Sequence, residues 1–398
     1  MTMYQVAQEK VKQAEVLLDK LDIDTWLILS REGTDPCMPL LVNAHAVHKA
    51  AIFINRTGKH KILTSASDRG NFEETALFEE VIVYEASIDK PFLELLNKVN
   101  PNKLALNISK HDHLCDGLTL GQYFWLQDLV GKERLSNLMV SSEPILNELR
   151  SIKSETEQER IKKAVEITCD IYDEAFRQIK IGMTELEIGA LFVEEMKKRG
   201  VTSGLGNAYD PPLVCAVANG LAHRKPSNYK TKPGDIVIID FCVKCEEYVS
   251  DIARTLYMLK QNENAVPMEV QRAFEVARDA ITKTIEGIKP GMKGYEVDAL
   301  GRKHIEDNDY PTIRHSVGHQ VGRECHDGGT VLGPKREPIR PAVLGEIKEN
   351  EVYAVEPTVI QDNGLPCMLV EENVIVKSDG VEILSKRQMD LVVISTSL

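Results

Sequence analysis

The sequence predicts an α+β protein of two domains, a smaller α/β domain over residues 1–150 and a larger, duplicated unit over residues 151–398. Three observations predict it. Helix-like and strand-like patterns alternate through the first part of the chain. Two stretches of the remainder repeat each other at an offset of 109 residues, Ile179 onward and Ile288 onward. After each copy come two apolar, strand-like runs that carry carboxylates in corresponding places.

In the first domain, VAQEKVKQAEVLLDKL places its apolar residues at helical spacing and reads as an amphipathic helix. TWLILS, AIFIN, KILTS, VIVYE and KLALN are short runs rich in β-branched and aromatic residues and read as strands. Arg56-Thr57-Gly58-Lys59 reads as the turn between two of them. PFLELLNKV and GQYFWLQDLV read as helices. A boundary is expected between Asn147 and Glu157, where a charged helical pattern begins. Ser154 with Glu157 three residues later has the form of a capping box.

The repeat compares IKIGMTELEIGALF (179–192) with IKPGMKGYEVDALG (288–301), identical at seven of fourteen positions. The preceding helical patterns also match, Ala164 with Ala273 and Glu166 with Glu275. Two related α+β halves packed face to face would leave a cleft between them, where sites are often found.

Each half is expected to end in a β-hairpin. In DIVIIDFCVKCEEYVSDIARTLYML, a reversal between Cys245 and Glu246 places Asp240 directly opposite Asp251. In EVYAVEPTVIQDNGLPCMLVEENVIVK, Asn363-Gly364 is a strong turn signal and places Glu356 opposite Glu371. Glu372 should then face the other way, because strand side chains alternate. Pro357 removes one ladder hydrogen bond and could shift this register. Like charges facing across a ladder are destabilising unless neutralised, and a metal ion is the usual neutraliser. Four carboxylates from two related hairpins would bracket two cations about 3.5–4 Å apart.

HSVGHQVGRECHDGG (315–329) holds His315, His319 and His326 among glycines that allow close backbone approach. His223, in ANGLAHRKPSN, stands 17 residues before Asp240 and could reach the same cleft. With the four carboxylates, an imidazole from this group would make a hard, oxygen-rich donor set. It suits Mn, Co or Fe at least as well as Zn, with Mn favoured.

The rest of the chain narrows the classes. A net charge of -13 repels phosphate backbones, so a nucleic-acid partner is not expected. No run approaches the ~18 apolar residues of a membrane span. The polar start MTMYQVAQEK lacks a signal core, and the eight scattered cysteines suit a reducing compartment, so a cytoplasmic location is expected. The chain contains no Walker A, HExxH or GxSxG pattern, and no GxGxxG follows a strand. Cys242 and Cys245 resemble half a zinc site but have no second pair, and a strand and turn explain them. Lys110-His111-Asp112-His113 with Cys115 reads as a solvated loop, and Cys325 as packing.

Together, LAHRKPSN, IIDFCVKCEEYVSDIART, HSVGHQVGRECH, YAVEPTV and LVEENVIV resemble the pita-bread metallopeptidases: methionine aminopeptidase, Xaa-Pro aminopeptidase and prolidase, with creatinase as a metal-free relative. Their order and spacing agree across 150–398, and the first domain is similar to the creatinase/prolidase type in size and pattern. The resemblance implies a pita-bread catalytic domain. It implies two divalent metal ions held by Asp240, Asp251, His319, Glu356 and Glu371, with Asp251 and Glu371 bridging and Glu356 also shuttling protons. It further implies that His223 and His326 hold the substrate carbonyl and the tetrahedral intermediate, with His315 matching a histidine of the proline-cutting branch. The large first domain favours that branch. The implied activity is removal of one residue ahead of proline from a small peptide, by a homodimer. One position departs from the branch: Leu369 stands where an Arg usually pairs with a metal-binding Asp. This leaves a second reading, an amide hydrolase on the same fold acting on a small cyclic or guanidino compound. A third, a non-enzymatic binding protein, is disfavoured because all five ligand positions are intact.

Overall fold

The computed structural model describes residues 4–216, 223–360 and 367–395. The described chain divides into two compact units, Met1–Arg150 and Ser151–Leu398.

The first unit is built on a six-stranded sheet. Its strands are β1 (Thr25–Ser30), β2 (Ala50–Asn55), β3 (Lys61–Ser65), β4 (Glu80–Tyr84), β5 (Leu104–Leu106) and β6 (Met139–Ser141), in spatial order β4-β3-β2-β1-β5-β6. Its helices are α1 (Gln5–Lys20), α2 (Met38–Leu41), α3 (Arg69–Glu73), α4 (Asp89–Val99), α5 (Leu120–Val130), α6 (Lys132–Leu138) and α7 (Glu143–Ser151). The five expected strands and three expected helices all form, with β6 and the short helices in addition. Strand alternation explains why β1 and β2 are buried along their whole length. Trp26 and Ile28 join one apolar cluster with Ile52 and Ile54, whereas Leu27 and Leu29 join another with Ala51 and Phe53. Gly58, at φ 76°, closes the expected turn between β2 and β3.

In the second unit the repeat is visible as structure. α8 (Glu155–Phe176) and α9 (Glu185–Arg199) correspond to α10 (Met268–Gly287) and α11 (Gly294–Asp307). The expected capping box opens α8, with Ser154 and Glu157 each bonding the other's amide. Gly182 and Gly291 of the shared turn have φ 95° and 89°. Gly182 N donates to Thr231 O and Gly291 N to Ile347 O. Glu187 and Glu296 each reach back to the amide of Thr184 or Lys293, three residues earlier.

After each helix pair comes a three-stranded antiparallel meander. The first runs β8 (Leu213–Ala216), β9 (Ile236–Phe241) and β12 (Ile252–Met258), with β17 (Val392–Ile394) added at the β12 edge. The second runs β13 (Gly318–Gln320), β14 (Val352–Val355) and β15 (Glu372–Lys377), extended by β16 (Gly380–Ile383). The tip of the first hairpin forms β10 (Val243–Cys245) and β11 (Tyr248–Val249), which join β7 (Thr202–Ser203) in a small sheet. One apolar cluster, including Ile238, Tyr257, Phe274, Ile281, Tyr353 and Val374, takes side chains from both meanders.

The two hairpin registers compare differently with expectation. The first is corrected. The turn is Glu246-Glu247, both left-handed at φ 49° and 71°, and Asp240 pairs with Ala253, not with Asp251. A two-residue turn with φ positive at both positions matches strand twist better than the expected reversal one position earlier. Moving the turn by one residue moves the register by two. Asp240 and Asp251 therefore keep to one face, as diagonal neighbours rather than direct opposites. The second register is as expected. Val355 pairs with Glu372, and beyond Pro357 the bridge Val359 to Met368 keeps the same alignment. The Asn363-Gly364 turn itself lies outside the described residues.

Candidate metal centre

Asp251, Glu356 and Glu371 stand where the ladders stop, and Asp240 lies within β9, one residue from its end. Asp251 falls in the break between β11 and β12. Its amide donates to Asn373 Oδ1 at 3.0 Å, and Asn373 Nδ2 donates back to Asp251 O at 2.7 Å. This clamp ties the first hairpin to the second. Glu356 follows the end of β14, and its amide donates to Val317 O at 2.7 Å. Glu371 precedes β15, and its amide donates to Ala253 O at 3.2 Å. Ala253 is the ladder partner of Asp240, so Glu371 is drawn to the Asp240 strand by its own backbone.

Behind them, the Tyr172 hydroxyl on α8 lies 2.9 Å from Ile239 O and 2.7 Å from Ile252 O, bracing the residues beside Asp240 and Asp251. Arg254 stands under Glu371. Its Nη1 donates to Glu371 O at 2.7 Å, and its Nη2 lies 3.0 Å from Glu372 Oε2. Glu372 thus faces away from the other carboxylates, as alternation predicts.

His319, on β13, stands among the carboxylates. Its Nε2 lies 3.7 Å from Asp251 Oδ2 and 3.7 Å from Glu356 Oε1. Ligand atoms of Asp251, His319 and Glu371 all lie within 4.8 Å of one another. Gly318 permits this approach, since a Cβ there would collide with the Ala354 carbonyl oxygen. Asp240 Oδ2 is 3.6 Å from His223 Nδ1, while Asp240 Oδ1 is buried without a hydrogen-bond partner.

The electrostatics show strain in the absence of a cation. Burial pushes the Asp240 carboxyl up to about 6. Burial, together with neighbouring carboxylates, holds Asp251, Glu356 and Glu371 well above the ordinary range. Burial pushes His319 down to about 3, which keeps its ring neutral and its lone pair available. A divalent cation would satisfy the orphan oxygen and remove the like-charge repulsion, so the residues present fit a metal centre.

A pH-dependent result follows. In the metal-free fold, Asp240 titrates near 6, against roughly 4 in the unfolded chain. Its stabilising contribution is complete below roughly 4 and is lost as pH rises through about 6. The three other raised carboxyls act in the same sense. Metal-free His319, held down at about 3 by burial, stays neutral through this window and adds nothing to the effect. The melting-temperature gain from added Mn should therefore shrink between about pH 7.5 and 5.5. A gain that is constant or larger at the lower pH would contradict this.

The remaining histidines are less uniform. His223 is exposed, and residues 217–222 just before it lie outside the described residues. The following segment is strapped down by buried Glu185, which accepts hydrogen bonds from Arg224 and Ser227. His326 is exposed but packs against His319 in a tilted arrangement, with ring centroids 4.3 Å apart and ring planes at 45°. His315 turns its Nδ1 to Ser316 O at 2.7 Å and leaves a buried Nε2 unpartnered. Sequence reasoning missed Asn373, Arg254 and Tyr172. The usable signal was a charged Arg254 within an otherwise apolar strand run. The Asn373 clamp depends on a contact across 122 positions and had none. His111, Asp112, His113 and Cys115 are not among the described groups able to hold a metal.

This fold and this centre define a metallopeptidase of the pita-bread type. Residues 159–378, more than half of the chain, match metallopeptidase family M24, and the chain belongs to that family. It is a metal-dependent peptidase, and the family implies divalent cations. Among its relatives is an Xaa-Pro dipeptidase of Pyrococcus horikoshii, 25% identical over 390 residues, which covers 97% of this chain and 99% of that one. Another, from Pyrococcus furiosus, is 27% identical over 317 residues, covering 77% and 86%. Two solved structures share the fold. An Xaa-Pro dipeptidase from Bacillus anthracis has a TM-score of 0.76 at 21% identity, over 97% of this chain and 99% of that one. An X-Pro aminopeptidase from Thermotoga maritima has 0.75 at 23% identity, over 96% and 99%.

Proposed function

We propose that the unit from residue 151 onward is the catalytic domain of an Xaa-Pro peptidase. In this reading Asp240, Asp251, His319, Glu356 and Glu371 would hold two divalent cations. The observation that carries the reading is the grouping of buried Asp251 and Glu371 and partly buried Glu356 around one neutral imidazole, with buried Asp240 close enough to raise all three carboxyls. Four ionised carboxylates match the charge of two divalent ions, and the oxygen-rich set favours Mn. Bound cations would supply Lewis-acid polarisation of the scissile carbonyl and a water acidified for attack.

The chain's own groups do the rest. Glu356 has the most exposed carboxyl of those with ion-pair contacts, its side chain 20% exposed against 8% for Asp240 and 9% for Asp251. It is the group placed to take a proton from the attacking water and return it to the leaving nitrogen. His223 and His326 present ring N–H donors from the exposed side to the oxyanion that develops on the substrate carbonyl. The buried, unpartnered His315 Nε2 is assigned to the substrate side of the site.

Xaa-Pro specificity is supported by what the relatives cleave, as their names state. Leu369 favours the second reading, a small non-peptide amide, because a leucine buried in the apolar cluster offers no ion pair. A homodimer is proposed by analogy with the family alone. A cytoplasmic location is supported by cysteines that form no disulfide among the described residues. No described helix is long and apolar enough to cross a membrane.

The test is hydrolysis of a matched panel by purified enzyme with added Mn, Co or Zn: an Xaa-Pro dipeptide, an Xaa-Pro-Yaa tripeptide and an Xaa-Ala tripeptide. Metal-dependent cleavage confined to the proline substrates is expected, and their length preference separates dipeptidase from aminopeptidase. Equal cleavage of the alanine tripeptide would overturn the specificity, and no cleavage of any peptide would favour the non-peptide amide.

A further inference from the structure

Cys242 and Cys325 are unused by the reaction, yet they border its centre. Both are almost fully buried, at 2% and 3% exposure. Cys242 follows β9, and its thiol donates to Asp251 Oδ1 at 2.9 Å. Cys325 comes from the loop after β13, and its sulfur lies 3.6 Å from Gly204 O. Gly204 walls the pair, since a Cβ there would stand 2.8 Å from Cys242 Cβ. The two sulfurs and an Asp251 oxygen all lie within 4.8 Å of one another. Cys245, the sequence neighbour, is not part of this group.

We propose that Cys242 Sγ, Cys325 Sγ and Asp251 Oδ1 form a second cation site, selective for a soft or borderline divalent ion such as Zn²⁺ or Cd²⁺. A tetrahedral ion with bonds of about 2.0–2.3 Å needs donors roughly 3.3–3.8 Å apart. The donor atoms lie within 4.8 Å of one another, and the hydrogen-bonded Cys242–Asp251 edge, at 2.9 Å, must open for an ion to enter. Binding forms two metal–sulfur bonds and one metal–oxygen bond, and releases the two thiol protons to water. Thiolates favour Zn²⁺ or Cd²⁺ over Mn, so this site and the carboxylate centre prefer different ions.

The two sites meet at one residue. Asp251 presents Oδ1 to Cys242 and Oδ2 to His319. Its backbone is fixed by the Asn373 clamp, so it has little freedom to serve both. An ion on the thiolates therefore withdraws Asp251 from the carboxylate centre. This last effect, inhibition of the Mn-loaded enzyme by Zn²⁺ or Cd²⁺, rests on the function proposed above, whereas the site itself does not.

The experiment titrates chelator-stripped, reduced full-length protein with Cd²⁺ and follows thiolate-to-cadmium charge-transfer absorption. Wild type and Cys245→Ser should each show the band saturating at one equivalent. Cys242→Ser and Cys325→Ser should each need at least tenfold more Cd²⁺. Equal titrations in all four proteins, or no band in wild type, would overturn the site. Should the serine variants fail to fold, zinc-edge absorption on wild type decides the matter: two sulfur neighbours per zinc are expected, and only oxygen and nitrogen would overturn it. A thiolate band without peptide hydrolysis in any metal would uphold the site and overturn the peptidase reading.

Discussion

Replacing Asp251 with alanine is expected to remove metal binding and hydrolysis together. Asp251 is the residue on which the geometry closes. One oxygen faces His319, the other faces Cys242, and ligand atoms of His319 and Glu371 lie within 4.8 Å of it. Without it, only Glu371 remains of the two carboxylates expected to be shared between the cations. The expected loss in kcat/KM is at least about a thousandfold, or about 4 kcal/mol of transition-state stabilisation. The fold should survive, because the Asn373 clamp uses only the Asp251 backbone. Stability should even favour the variant in chelator. Asp251 is a buried carboxyl whose neighbour Asp240 resists its ionisation, and truncation removes that conflict. Elemental analysis, steady-state kinetics and thermal melts in chelator check the three statements. Wild-type metal content with full activity would sink the dinuclear reading. A metal-free variant that melts well below metal-free wild type would contradict the electrostatic part.

Why these residues were legible in the sequence has a physical answer. Asn363-Gly364 announces its register because few residue pairs accept a turn with φ positive twice. Counting outward from it aligned Glu356 with Glu371, and the ladder agrees on both sides of Pro357. Glu246-Glu247 adopts a turn with φ positive at both positions, from residues that give no such signal. Asp240 and Asp251 were therefore placed as opposites when they are diagonal neighbours. The error was harmless because a register shift of two preserves the face. The glycine-flanked His315, His319 and His326 stand out as a group, but only the family resemblance singles out His319, where Gly318 leaves room that a larger residue would not. What stayed hidden were the contacts that bind one hairpin to the other. Asn373 grips Asp251, and Glu371 bonds to Ala253, through pairings that no local pattern encodes. The repeat implied two halves, but only these contacts bring the four carboxylates to one point.

Arg254 supports that junction, and its loss should produce the largest stability effect in the catalytic unit. It is 4% exposed and donates to Glu371 O, Ala253 O and Lys386 O, with Glu372 as its charged partner. Glu372 is fully buried and also accepts from Ser385 and from Gln388 N. Arg254→Met keeps apolar bulk but leaves that carboxylate buried without its cation. Removing one partner of a buried pair costs about 3–5 kcal/mol. For a unit of this size, that lowers the melting temperature by roughly 6–20 °C. Adding Glu372→Gln removes the stranded charge and retains hydrogen-bonding capacity, so the double variant should recover part of the loss. Strict additivity of the two single substitutions would show that the pair is not coupled. Activity should fall for a separate reason. Arg254 Nη1 holds the carbonyl of Glu371, so its loss frees the backbone that aims a bridging ligand. A drop of about 10–100-fold in metal affinity is expected, as for other groups that orient a ligand. That drop should persist in the double variant, because Glu372→Gln restores charge balance but not the grip on Glu371. Recovery of metal affinity in step with stability would instead mean that Arg254 acts on the site only through the fold.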